Sequence, residues 1–164
     1  MIFVTVGTQL PFDRLVRAVD LWAGANPDAE VRAQIGLVSS EGYTPRHMES
    51  TPTLDPKHFE RLFNSARLVV AHAGTGSLLQ ASTNSIPILI MPRRAEFGEH
   101  RNDHQLATAK HFGDLPGVHV AHEEDEIAPA IDRLLREDAK APELRPTADP
   151  QLIAKIRDLI FRPD

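Results

Sequence analysis

The sequence predicts an α/β domain, a parallel β-sheet with helices on both faces. Three observations lead there. Short apolar, β-branched runs such as Ile2–Val6, Leu68–Ala71 and Ile88–Met91 alternate with longer segments of helical spacing. Strands that alternate with helices in this way build a covered parallel sheet. Glycine-bearing turns follow two of those strands, at Gly7 and at Gly74 and Gly76. The chain has 164 residues, 41% of them hydrophobic and 25% charged, enough for one domain with a substantial core and unlike a disordered or fibrous composition.

In chain order, Ile2–Val6 reads as a strand closed by Gly7, and Phe12–Ala23 as a helix with Leu15, Val19 and Trp22 on one side. A second strand is expected within Val31–Val38, after the Asn26-Pro27-Asp28 break, and a weaker extended segment near His47–Leu54. Asp55-Pro56 is an N-cap and first-turn signal for a helix reaching Ser65. Leu68–Ala71 is a strand, Ser77–Ser85 a helix and Ile88–Met91 a strand. Helix Asn102–Phe112, strand Val118–Val120 and helix Glu124–Arg136 complete the alternation, the last with Ile127, Ile131, Leu134 and Leu135 on one side. Residues 1–137 thus form one Rossmann-like domain. Residues 138–164 read as an extended strap, holding Pro142 and Pro146, and a final helix over Pro150–Phe161. Leu152, Ile153, Ile156, Leu159 and Ile160 give that helix an apolar face wide enough for its own domain, a second subunit, or both.

The formal charge of −5 argues against a nucleic-acid or anionic-membrane partner, which would call for a net basic face. No cysteine is present, so no disulfide or thiolate metal site is expected, which fits a reducing compartment. No apolar run is long enough to cross a bilayer and no basic leader precedes the first strand, so a cytoplasmic protein is expected.

Three turns carry the candidate chemistry, all at the carboxyl edge where open α/β sheets bind ligands. In Val6-Gly-Thr-Gln-Leu-Pro-Phe-Asp13, Gly7 permits a tight turn, and backbone N–H groups with the Thr8 hydroxyl could face an anion; by itself a glycine there is more often only a turn residue. His72-Ala-Gly-Thr-Gly-Ser77 opens a helix whose N-terminus favours phosphate without any lysine. It lacks the Gly-Lys-Ser/Thr of a Walker loop, and Leu79 stands where a dinucleotide fingerprint has its third glycine, which disfavours a nicotinamide dehydrogenase. Ser77 could equally be a simple N-cap, and His72 a packed residue ending a buried strand, so no general base is assigned. The third turn runs from Pro92 to Gln105. Its Arg93, Arg94, His100, Arg101 and His104 fall within twelve residues of an otherwise acidic chain, as a solvated basic loop or as a ligand-facing one. His100 and His104 have the spacing of a zinc helix, but Arg101 replaces the glutamate that chemistry needs, so no metal is expected.

The stretches Phe3-Val-Thr-Val-Gly-Thr8, Ala71-His-Ala-Gly-Thr-Gly-Ser77, Pro92-Arg-Arg94 through Gly98-Glu-His100, and Asn102-Asp-His-Gln105 resemble the C-terminal, donor-binding domain of family 28 glycosyltransferases, the C-terminal half of a GT-B enzyme. The resemblance covers nearly the whole chain. It is nearest to stand-alone members, such as the catalytic subunit of a two-subunit dolichol-linked N-acetylglucosaminyltransferase and bacterial exopolysaccharide subunits. It implies a UDP-sugar donor site. Gly7, Thr8 and Gln9 would form the first phosphate-facing loop and Gly74, Thr75, Gly76 and Ser77, bordered by His72, the second. The backbone near Leu54 would read the uracil edge, and Asn102, His104 and Gln105 would hold the donor sugar. Arg93, Arg94 and Arg101 would add positive charge near the departing diphosphate. Gln80 stands where the family often has a glutamate for the ribose hydroxyls, so that contact would lack charge-assisted strength.

The resemblance further implies a metal-independent, inverting hexosyl transfer from a UDP-sugar to a polyprenyl-diphosphate-linked acceptor in polysaccharide biosynthesis. A membrane-anchored partner with a second Rossmann-like domain would bind the acceptor, recruit the chain to the cytoplasmic membrane face and be needed for activity, with the Pro150–Phe161 helix helping to join the two. The alternative is a non-catalytic enhancer that stabilises such a partner.

Overall fold

A computed structural model describes residues 1–8, 10–37 and 42–137. The expected strap and terminal helix at 138–164, with the Gln9 contact and Val38, lie outside the described residues. Six parallel strands, β1 (Ile2–Thr5), β2 (Val31–Gln34), β3 (Glu49–Thr51), β4 (Leu68–His72), β5 (Ile88–Met91) and β6 (Val118–Val120), form one sheet in the order β3-β2-β1-β4-β5-β6. Among the described residues α1 (Asp13–Ala25), α2 (Pro56–Ser65), α3 (Thr75–Thr83) and α4 (His104–Phe112) link strands, and α5 (Ile127–Arg136) follows β6. The chain winds outward from β1 to β3, then returns to place β4 on the other side of β1. The switch point between β1 and β4 opens a crevice at the carboxyl edge.

Alternation along each strand sends side chains to two separate cores. Ile2, Val4, Val70, Leu89 and Met91 pack with α1 and α5, through Leu15, Val19, Trp22, Ile127, Ile131 and Leu134. Phe3, Val69, Ala71, Ile88 and Ile90 pack with α2, α3 and α4, through Phe63, Leu78, Ala81 and Ala109. Helices therefore cover both faces, as the alternation of elements predicts. Polar bolts fasten the first layer. Trp22 Nε1 donates to Asp132 at 2.8 Å, tying α1 to α5. The fully buried Asp20 carboxylate accepts backbone N–H bonds from Arg46 and His47 and the Tyr43 hydroxyl at 2.7 Å. Burial alone would raise the Asp20 carboxyl, but these donors outweigh it and hold it below its ordinary range.

Element starts follow local chemistry, with differences from expectation at α3, α4 and α5. Asp55 accepts from the His58 N–H at 3.0 Å and Pro56 opens α2, as its Asp-Pro signal predicts. Helix α3 begins at Thr75, two residues earlier than expected. Its N-cap is Gly74, extended at φ −94° and ψ 135°, so Ser77 is a first-turn residue and not the cap. Strand β2 occupies Val31–Gln34, within the expected window, and Ile35 and Gly36 still donate to the Thr51 and Pro52 carbonyls, both at 3.0 Å. Helix α4 begins at His104, leaving Asn102 outside it, and a one-turn 3-10 helix at Glu124–Glu126 precedes α5.

Candidate active site

The first two turns meet around one side chain. His72, the last residue of β4, stands its imidazole between the turn after β1 and the turn after β4. Gly7, at φ +76°, lies so close that a Cβ there would come within 3.0 Å of His72 Cε1, and a Cβ on Gly74 would collide with His72 Nε2. A side chain at Gly74 would therefore displace the ring, and at Gly7 glycine is favoured by its positive φ and by the ring's close approach. His72 Nδ1 lies 3.5 Å from the Thr5 carbonyl oxygen. Burial, reinforced by the neighbouring Arg93, pushes the imidazole down to about 4, so it is neutral near pH 7. The ring thus offers a polar edge without a charge.

Positive potential comes from the backbone beside it. No side chain caps the start of α3, and its first N–H groups have no partner within the helix. A cleft of about 560 Å³ opens over this helix start, on the α2/α3 face of the sheet. It brings together Gly7, Thr8, Leu54, His72, Gly76, Ser77 and Gln80 from the predicted set. It adds Thr5, Gln34, Pro56, Phe59 and Glu60, which sequence reasoning missed because no motif marks them. Its size suits a small-molecule ligand. A side recess of about 50 Å³ reaches from Gly7, Thr8 and His72 toward Arg93, His100 and Gln105.

The third turn is organised differently, with Arg93 and Arg94 engaged inside the protein. Arg93 is buried and its guanidinium donates to four backbone carbonyls: Pro11 at 2.6 Å and Glu99 at 3.1 Å through Nη1, Val6 at 2.7 Å and Leu10 at 2.6 Å through Nη2. It also stacks on Phe12, 4.7 Å from the ring centre. Burial lowers its pKa to about 10, so it stays charged at neutral pH. Its hydrogen-bonding capacity goes to closing the first turn, leaving little for a diphosphate. Arg94 turns away from the cleft to Glu123 and the His122 carbonyl. Glu99 binds Arg14 through both carboxylate oxygens, at 2.9 and 3.1 Å, and accepts from the Arg94 N–H at 2.9 Å. Gln105 is buried, its Oε1 accepting from the Arg93 N–H at 3.1 Å, and it borders the side recess. Asn102 and His104 are exposed, bonded to each other, and line neither cavity; Arg101 is exposed as well. His100 and His104 meet edge to face at 4.4 Å. Among the described residues, no group of three or more His, Cys, Asp or Glu side chains is placed to hold a metal ion.

A larger groove, about 720 Å³, lies between α1 and α5 beside exposed Leu21 and Phe97. It contains no glycine turn, and five carboxylates, those of Asp13, Glu99, Glu124, Asp125 and Asp132, line it beside Arg14 and Arg17.

A doubly wound parallel sheet with an uncapped helix start over a glycine-lined cleft at its switch point defines an α/β domain of the Rossmann-like class. The glycosyltransferase family 28 C-terminal domain matches residues 1–160, and the chain belongs to that family. No curated protein sequence matches it. Among solved structures, MurG of Acinetobacter baumannii superposes with a TM-score of 0.62 at 17% identity, over 98% of this chain and 49% of that one. The glycotransferase of kitacinnamycin gives 0.62 at 17% identity, over 96% of this chain and 37% of that one. ALG13 gives 0.60 at 19% identity, over 94% of this chain and 93% of that one. This chain thus spans less than half of the first two proteins and nearly all of the third. At these identities the likeness is one of fold: the C-terminal half of GT-B glycosyltransferases. No helix among the described residues is long and apolar enough to cross a membrane.

Proposed function

We propose that this chain is the donor-binding, catalytic subunit of a split glycosyltransferase, taking a sugar from a UDP-sugar and passing it with inversion to a polyprenyl-diphosphate-linked acceptor. The observation that carries the reading is the pair of glycine turns closed around neutral His72, with the uncapped start of α3 facing the cleft. The diphosphate would lie against the first N–H groups of α3 and the Thr8 hydroxyl, and the nucleoside would extend toward Leu54. As the glycosidic bond breaks, negative charge grows on the departing diphosphate, and fixed N–H donors at a helix start stabilise that charge without reorganising. This arrangement supplies the stabilisation from the backbone, so the reading calls for no metal ion.

The acceptor half would come from a membrane-anchored partner carrying a second Rossmann-like domain, which would bring this chain to the cytoplasmic membrane face. The likeness to ALG13, over 94% of this chain and 93% of that one, supports a reading in which the acceptor half is a separate protein. Reconstituting the chain with such a partner and measuring sugar transfer from a panel of UDP-sugars tests the proposal. Gly76→Asp should abolish transfer while the complex still assembles. Unchanged turnover in that variant would reject the catalytic role in favour of a non-catalytic enhancer.

A further inference from the structure

One polar side chain at the cleft carries a buried atom that the fold leaves without a partner. Gln34, the last residue of β2, is only 4% exposed, and its Oε1 is buried without a hydrogen-bond partner. Its backbone is engaged, since the Gln34 carbonyl accepts from the Val6 N–H at 3.1 Å. The side chain stands in register with Thr5 on the face that carries α2 and α3, and it lines the 560 Å³ cleft with Thr5, Leu54 and Phe59. Val31 and Ala33 of the same strand face the opposite core, and Arg32, next to Gln34 on its own face, is paired with Glu30 and Glu49. An amide enclosed this way without a partner opposes folding, which a methionine or leucine at the same place would not do. A ligand that completes its hydrogen bonding removes that cost.

The order of the strands indicates which part of a ligand reaches it. Moving outward along the carboxyl edge, the α3 start follows β4, the Gly7 turn follows β1, Gln34 ends β2, and Leu54 lies just beyond β3. Neighbouring strands are about 4.8 Å apart, so Gln34 sits one step from the first glycine turn and one step from the Leu54 segment. In a nucleoside diphosphate the ribose lies between the phosphates and the base. We propose that the Gln34 carboxamide hydrogen-bonds a ribose hydroxyl of the donor nucleotide and is a specificity-determining contact of the cleft, an inference that rests on the donor-site reading above. A hydroxyl both donates and accepts, so it satisfies the amide in either of its two orientations, whereas a phosphate oxygen satisfies only its NH2 end. Gln80 enters the same cleft from α3, so the ribose would be approached by two neutral amides from opposite walls.

The test compares uridine diphosphate with its 2′,3′-dideoxy analogue by calorimetric titration of the full chain and of Gln34→Met, with thermal unfolding of both. The wild type should prefer uridine diphosphate, and Gln34→Met should reduce that preference by about tenfold. Gln34→Met should also unfold at the same or a higher temperature, since the orphaned amide is gone. A preference undiminished in a folded Gln34→Met overturns the ribose contact while leaving the donor site in place. Absence of uridine diphosphate binding to the wild type overturns the donor-site reading and the contact with it. Should Gln34→Met fail to fold, the side-chain amide resonances of Gln34 in the wild-type protein decide: they should shift with uridine diphosphate and not with inorganic pyrophosphate. Resonances unmoved by saturating uridine diphosphate overturn the contact.

Discussion

The turn after β4 and the turn after β5 are neighbours on one sheet edge, yet they use polarity in opposite ways. His72–Ser77 contains no charged side chain other than a histidine held neutral, and it leaves the first N–H groups of α3 open to the cleft. Pro92–Gln105 is crowded with charge, and its Arg93, Arg94 and Glu99 are engaged within the protein, while Arg101 is exposed. A binding site is made by groups whose hydrogen bonds are still available. A dense run of charge can serve instead as mortar, and Arg93 does so by gathering the carbonyls of the first turn.

The largest effect should come from the mortar. Arg93→Leu removes one cation and leaves four carbonyls without their donor, so it should cost about 3–5 kcal/mol of stability by chemical denaturation. A folded Arg93→Leu of near-native stability that has lost only ligand binding would reverse the comparison. Next, Gly76→Asp should weaken uridine diphosphate binding by about a hundredfold, about 2.7 kcal/mol, with stability unchanged or raised. A Cβ at Gly76 meets nothing within 4 Å, and a carboxylate in the first turn of a helix suits its dipole while repelling a bound phosphate. Calorimetry and thermal unfolding of the same variant separate the two effects.

The histidine between the turns gives a graded effect. Its folded pKa of about 4 is below the ordinary 6.5, so the folded state binds fewer protons than the unfolded one between those values. The stability contributed by neutral His72 is full above about pH 6.5 and is lost as pH falls toward 4, with a limiting slope of about 1.4 kcal/mol per pH unit. Burial also pushes the His100 and His119 imidazoles down, so the measurement is the difference in pH dependence between wild type and His72→Gln. Curves that run parallel from pH 7 to 4.5 would show that His72 is not held neutral. The smallest effect belongs to the outer rim. Arg94→Gln loses a partly exposed pair with Glu123 and should cost under about 1 kcal/mol, with donor affinity unchanged, if Arg94 faces away from the ligand.

Much of the layout was legible before any coordinates. The strands at Ile2, Leu68 and Ile88 announce themselves by short apolar runs, and Asp55-Pro56 marks its own helix start, because both signals are local. Helix α3 defeated the same logic. Gly74 caps it in an extended conformation with no side chain to signal the role, so Ser77 was the more visible candidate. Gln34 carried no signal either, since an isolated glutamine in a short strand reads as polar surface, and only the packing of α2 and α3 encloses it.

The sequence by itself determined the alternation of strands and helices, the membership of the chain in its family, and the places where glycine turns meet helix starts. These are properties of contiguous residues, set by backbone conformation and side-chain periodicity over a few positions. Only the tertiary structure decided which polar groups remain available. Arg93 reaches the Val6 carbonyl across 87 residues of chain, and Glu99 reaches Arg14 across 85. Hydrogen-bond satisfaction is settled between partners that folding brings together, and that is why the charged turn proved closed and the glycine turn open.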